Sequence, residues 1–193
     1  EDIDRVLNGE SKGIKLWRAD ASQTIFFLGF NCSHEPFNNV KVRQAVGYAL
    51  DREAITKAVF KGKGEASTSL LPGGMWYSPD LPEDLRYNYN IEKAKELLAE
   101  AGYKDGLRVT LYVDSIATRR SMAELIPNML SKAGIIVDVV YMESAAFNEY
   151  MLNKNDYDMF LWNFGNLFEP SGALSTIRTD NNVIGGSGKW HYH

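Results

Sequence analysis

The chain has 193 residues, 45% of them hydrophobic and 24% charged, with a formal net charge of -4. That is enough for one large globular unit with a real core. The acidic balance and the lack of any basic run argue against a nucleic-acid partner, because phosphate binding draws on clustered Lys and Arg.

Cys32 is the single cysteine, so no intramolecular disulfide can form. No run approaches the ~18 apolar residues of a membrane-spanning helix. The opening residues are polar and carry no signal-peptide pattern, so the chain reads as starting within a domain.

In chain order, residues 24–30 are short, apolar and aromatic, and predict a buried strand. A polar loop follows over 31–39. Val40, Val42, Ala45, Val46, Ala49 and Leu50 then recur at helical spacing. Asp51 stands where it can cap a second helix over 52–60, which runs out in Lys61-Gly62-Lys63-Gly64. Those four residues are too few for a phosphate loop and lack its Gly-Lys-Ser/Thr ending. Residues 64–89, with Pro72, Pro79, Pro82 and two adjacent glycines, predict a long irregular excursion.

Asn90 opens the clearest helix, with Ala94, Leu97, Leu98 and Ala101 as its stripe and Gly102 as its stop. Residues 107–113 alternate as a strand, 119–133 repeat as a helix ended by Gly134, and 135–141 form a β-branched strand. Strand, helix and strand in this order predict a βαβ unit with parallel pairing. A short helix over 145–152, a short strand over 159–162 and a helix from Pro170 to Arg178 complete the pattern. The tail over 183–193 reads as a loop. The fold class is therefore α/β.

Four segments carry a resemblance. Phe30-Asn31, then Pro36-Phe37-Asn38-Asn39-Val40-Lys41-Val42-Arg43-Gln44-Ala45, lead on to Ala49-Leu50-Asp51-Arg52-Glu53-Ala54-Ile55. Tyr89-Asn90 precedes Lys93-Ala94-Lys95-Glu96-Leu97-Leu98 and Ala101-Gly102-Tyr103. The βαβ unit holds Ala123-Glu124 and ends in Gly134-Ile135. Tyr157-Asp158 leads into Trp162 and Pro170. In this order they resemble the peptide/nickel family, family 5, of ABC-transporter extracellular solute-binding proteins.

The resemblance implies a periplasmic-binding-protein-like lobe, with a mixed, partly parallel sheet flanked by helices. Residues 1–193 would form one such lobe, the second of a larger two-lobed protein whose first lobe would precede these residues in the full-length chain. The implied function is capture of a peptide, nickel or a metal chelate in the inter-lobe cleft and delivery to a membrane permease. It requires no catalysis and no cofactor. The implied location is periplasmic or extracellular, with a lipid anchor on the full-length protein as an option.

Residues 163–178 resemble the ligand loop of the nickel-type branch. Gly165, Pro170, Leu174-Ser175 and Arg178 coincide, and Ser121 to Glu124 also match. The departures are specific. Phe164 stands for that branch's cleft tryptophan, Phe168 for its tyrosine and Asn182 for its metal-ligating histidine. An amide is a poor nickel ligand beside imidazole, so direct nickel ligation loses its residue.

Ligands of open α/β sheets lie at the carboxyl ends of strands. Asn163, Phe164, Phe168, Arg178 and Asn182 are accordingly the candidate ligand contacts. The phenylalanines would be apolar walls and Arg178 a fork for a carboxylate. Against this stand core roles for Phe164, Phe168 and Trp162, and an ion pair of Arg178 with Glu169 or Asp180.

Arg43 is expected to anchor a loop or pair with an acid rather than meet ligand. Cys32-Ser33-His34-Glu35 is too sparse for a zinc site, and His191-Tyr192-His193, which could place two imidazoles on one face of a strand, reads rather as loop. Asp114 and Asp158 are expected to cap loops. Two other classes remain open: an α/β hydrolytic enzyme using strand-end carboxylates, and a signalling receptor for peptides on the same fold.

Overall fold

The computed structural model describes residues 6, 24–71, 80–154 and 156–165. Strand β1 (Ile25–Phe30) leads through a loop to helices α1 (Val40–Ala49) and α2 (Arg52–Phe60). After a 3-10 turn at Glu83–Leu85 come α3 (Ile91–Glu100), β2 (Leu107–Asp114) and α4 (Ala117–Ser131). Strand β3 (Ile135–Met142), helix α5 (Ser144–Asn153) and strand β4 (Met159–Phe164) follow.

Local signals start three of the helices. The Asn39, Asp51 and Asn90 side chains accept hydrogen bonds from the backbone N–H of Lys41, Ala54 and Lys93, satisfying donors that a helix start leaves open. Gly134, at φ +91°, ends the turn after α4 and hands its carbonyl to the Leu107 N–H, so one left-handed residue both stops the helix and starts the β2–β3 pairing.

The sheet order is β1-β4-β2-β3. β2 and β3 are parallel from Leu107↔Ile135 to Asp114↔Met142, as the predicted βαβ unit requires. β1 and β4 are antiparallel from Ile25↔Phe164 to Phe30↔Met159. β2 joins β4 in parallel through Leu111↔Met159 and Tyr112↔Phe160. Beside that short seam the Asp158 carboxylate accepts the Thr110 N–H at 2.8 Å, so a side chain replaces a missing backbone acceptor.

One face of the sheet (Val109, Leu111, Val113, Ile135, Met159 and Leu161) packs with Phe37, Val42, Val46, Leu98 and Leu130. Burying each of the larger of these side chains contributes about 1.5–3 kcal/mol. On the opposite face Phe160 packs with Phe147 and Met151 of α5 and with Tyr157, bordered by Phe27, Tyr112 and Trp162. Helices on both faces make this the mixed α/β arrangement expected.

Two elements differ from expectation by two residues at an end. Helix α4 starts at Ala117 rather than at 119. Strand β4 runs to Phe164, so Asn163 and Phe164 are strand residues rather than the start of a loop, because β1 supplies them with partners in Phe26 and Ile25. The long excursion after α2 is irregular over its described parts and holds only the Glu83–Leu85 turn. The predicted helix from Pro170 to Arg178 and the tail over 183–193 lie outside the described residues.

Candidate functional site

The chain leaves β2 for α4 on the Val109–Leu111 face and leaves β3 for α5 on the Phe160 face. Adjacent parallel strands whose exits diverge to opposite faces open a crevice at their carboxyl ends, the usual ligand position in open α/β sheets. Residues from β2, α4, α5 and β4 meet there.

Asp114, the last residue of β2, is 1% exposed and Arg119, in the first turn of α4, is 3% exposed. The Arg119 Nη1 donates to Asp114 Oδ2, so the two charges are buried together and cancel. Asp114 Oδ2 also accepts the Ser144 hydroxyl at 3.2 Å, and Ser144 meets Ser115 at 3.2 Å across the two diverging exits. Arg119 reaches further, donating from Nε at 3.0 Å and from Nη2 at 2.6 Å to Asn163 Oδ1. Its guanidinium carbon stands 3.9 Å from the centroid of the Trp162 ring. Burial draws the guanidinium below its ordinary pKa range and Asp114 pushes it back; an arginine keeps its charge under both influences.

On the rim, Arg120 lies over the Tyr141 ring at 4.6 Å, and Ile116 and Tyr141 are both exposed. Trp162 is stacked parallel to Phe147 at 5.4 Å. The site thus combines a neutralised buried ion pair, a half-buried amide, two serine hydroxyls and aromatic faces. Such a set offers hydrogen bonds and stacking faces that suit polar groups of a ligand. Among the described residues no three His, Cys, Asp or Glu side chains gather as a metal ion would need.

Of the five candidate contacts, Asn163 and Phe164 are described. Asn163 is half-buried at the carboxyl end of β4. Phe164 stacks on Phe27 at 4.7 Å and packs against Ile25 and Leu71, so one ring face is already covered. Phe168, Arg178 and Asn182 lie outside the described residues.

Asp114, read as a loop cap, does bond the Ile116 N–H at 3.3 Å, but its main partner is Arg119. Sequence reasoning missed Arg119 and Ser144. An acid closing a strand five residues before an arginine was the available signal. Asp158 bonds the Thr110 N–H of a neighbouring strand instead of capping its own loop.

Arg43, His34 and Cys32 meet main-chain carbonyls, while His191 and His193 lie outside the described residues. Arg43 donates to the carbonyls of Phe37 at 2.6 Å and Asn38 at 3.3 Å, anchoring the loop before α1 as expected. His34 bridges the carbonyls of Glu35 and Tyr157. Cys32 Sγ lies 3.8 Å from the Phe30 carbonyl oxygen.

Known proteins carry the same sequence pattern and the same fold. The chain is 34% identical over 165 residues to heme-binding protein A of Haemophilus influenzae, covering 82% of the chain and 30% of that protein. It is 34% identical over 161 residues to the dipeptide-binding protein of Escherichia coli, covering 78% and 29%. The chain therefore spans about three tenths of the length of these relatives.

Among solved structures, HbpA2 from Haemophilus parasuis superposes with a TM-score of 0.83 at 30% identity, over 99% of this chain and 38% of that one. The periplasmic binding protein DppA from Helicobacter pylori, in complex with the peptide STSA, gives 0.79 at 25% identity over 96% and 36%. Residues 1–184 match the model of the bacterial extracellular solute-binding proteins, family 5 Middle, and the chain belongs to that family.

Proposed function

We propose that this chain is a ligand-holding lobe of a solute-binding protein serving an ABC importer, and that its ligand is a short peptide. The lobe closes with another part of the full-length protein over a cleft at the carboxyl ends of β2, β3 and β4. The peptide is captured there, no bond is made or broken, and it passes to a membrane permease from the periplasmic or extracellular side. The observation that carries this reading is the Asn163 amide, half-buried at the strand ends beside the divergence of the β2 and β3 exits. A cleft that reads a peptide needs such fixed polar groups for backbone carbonyls, with aromatic walls for side chains.

Asn163 and Phe164 belong to this surface, and Phe168, Arg178 and Asn182 extend it in the same reading. The peptide ligands named for the Escherichia coli and Helicobacter pylori relatives support the choice of class. Nickel or a metal chelate is the second reading, supported by the nickel-type pattern of residues 163–178.

Mass spectrometry of the full-length protein purified from its native host tests both readings. Short peptides released on denaturation are the expected cargo. Release of a metal complex with no peptide overturns the peptide reading, and covalent turnover of a substrate panel overturns the binding-protein reading.

A further inference from the structure

Asn163 presents its amide in one orientation only. Two guanidinium N–H groups of Arg119, at 3.0 and 2.6 Å, converge on a single atom of that amide, and only an oxygen can accept both. The other prong is then the NH2 group, and it has no hydrogen-bond partner among the described residues. Arg119 cannot turn away. Asp114 holds Nη1, the Trp162 ring lies beneath the guanidinium carbon, and the side chain is 4% exposed. Asp114 is itself held by Ser144 from α5.

We infer that Arg119 is a positioning residue that makes Asn163 an obligate hydrogen-bond donor to a ligand acceptor, a peptide carbonyl or a carboxylate oxygen. This rests on the reading of Asn163 as a ligand contact. A free asparagine offers either prong and accommodates a donor or an acceptor by flipping. Locked by Arg119, Asn163 accepts one kind of partner and leaves a buried donor unmatched against the other kind, which is how a polar site discriminates. The charge of Arg119 is spent on Asp114, so the arginine supplies geometry to the ligand rather than charge.

The test uses the full-length protein and the tightest binder from a pool of short synthetic peptides, with affinities from calorimetry. Asn163→Ala is expected to weaken binding about tenfold. Arg119→Lys, which loses the two-pronged hold on Oδ1, is expected to weaken binding severalfold in the native background. Placed on top of Asn163→Ala, it should cost nothing more. Equal losses from Arg119→Lys in both backgrounds would make the arginine merely structural and overturn the inference. No loss in Asn163→Ala removes the ligand contact itself, which is a separate failure.

Asn163→Asp covers the case in which Arg119→Lys does not fold. It keeps both Arg119 bonds but turns the outer prong into an acceptor, so it should bind at least as weakly as Asn163→Ala. Native affinity in Asn163→Asp overturns the inference. A pool in which no peptide binds overturns it together with the peptide reading.

Discussion

The Arg119 guanidinium lies over Trp162, its carbon 3.9 Å from the ring centroid, and that ring is in turn stacked on Phe147 of α5. A cation on one element, an indole on the second and a phenyl ring on the third tie α4, β4 and α5 together at the strand ends. The charge belongs to a pair whose members are 1% and 3% exposed, so its two halves are unequal to remove. Asp114→Ala leaves the guanidinium buried and uncompensated, and should destabilise the fold by about 3–5 kcal/mol. Arg119→Met with Asp114→Leu, which removes both charges, should cost clearly less. Urea denaturation followed by tryptophan fluorescence checks the difference.

Gly29 sits opposite Phe160 in the β1–β4 register. A Cβ at Gly29 would lie 2.1–2.7 Å from three atoms of the Phe160 ring, and that ring is fully buried and wedged edge-on against Phe27 and Tyr157. Gly29→Ala is therefore an overpacking change and should cost about 1–3 kcal/mol. Combining it with Phe160→Leu should recover part of that loss, measurable as a favourable coupling in thermal denaturation.

How far the sequence shows this molecule follows from the range of each interaction. Asp51 and Asn90 cap helices through partners three residues on and were readable as caps, whereas the Asn39 cap stood only as the end of a polar loop before helical spacing. The βαβ unit was readable because alternation and helical spacing are local patterns. The end of β4 was not. Asn163-Phe164-Gly165-Asn166 looks like loop, and the strand persists through Phe164 because β1, more than a hundred residues earlier, pairs with it. What Arg119 does beyond Asp114, five residues earlier, was hidden for the same reason. An arginine in the first turn of a helix is ordinarily solvated, and the Asn163 amide that it orders lies 44 residues away.

Alkaline pH should weaken the fold through Tyr157. Burial pushes its hydroxyl up to about 12, and the side chain sits in the Phe160 cluster at 3% exposure. The folded protein therefore keeps a proton that the unfolded chain loses near pH ~10. The contribution is fully present below about pH 10 and is lost as pH rises through about 12, with a slope of up to about 1.4 kcal/mol per unit. Tyr150 adds in the same direction; burial and its bonds with Tyr112 and Asp156 hold its proton as well. Denaturation at a series of pH values should show a shallower alkaline decline in Tyr157→Phe than in the native protein.

Arg52 and Arg43 should separate from the ligand site in experiment. Arg52 donates to the carbonyls of Gly47, Arg86 and Tyr87, fastening the end of the long excursion to α1. Burial lowers its pKa against an opposing pull from Asp51. Arg52→Ala should cost about 1–3 kcal/mol and speed protease cleavage between residues 80 and 89. Arg43→Ala should lower stability and leave peptide affinity of the full-length protein unchanged, since its two carbonyl partners both lie in the loop before α1.

The seam between β2 and β4 has a dynamic consequence. Two ribbons, β1–β4 and β2–β3, are each long and regular, and they meet through Leu111↔Met159, Tyr112↔Phe160 and the Asp158 carboxylate on the Thr110 amide. Native-state opening should follow that division, each ribbon behaving as one cooperative unit and the join as the weaker element. The Thr110 amide hydrogen, shielded by one carboxylate rather than by a strand, is the natural reporter of that motion: it should exchange with solvent whenever the ribbons part, before either ribbon unravels.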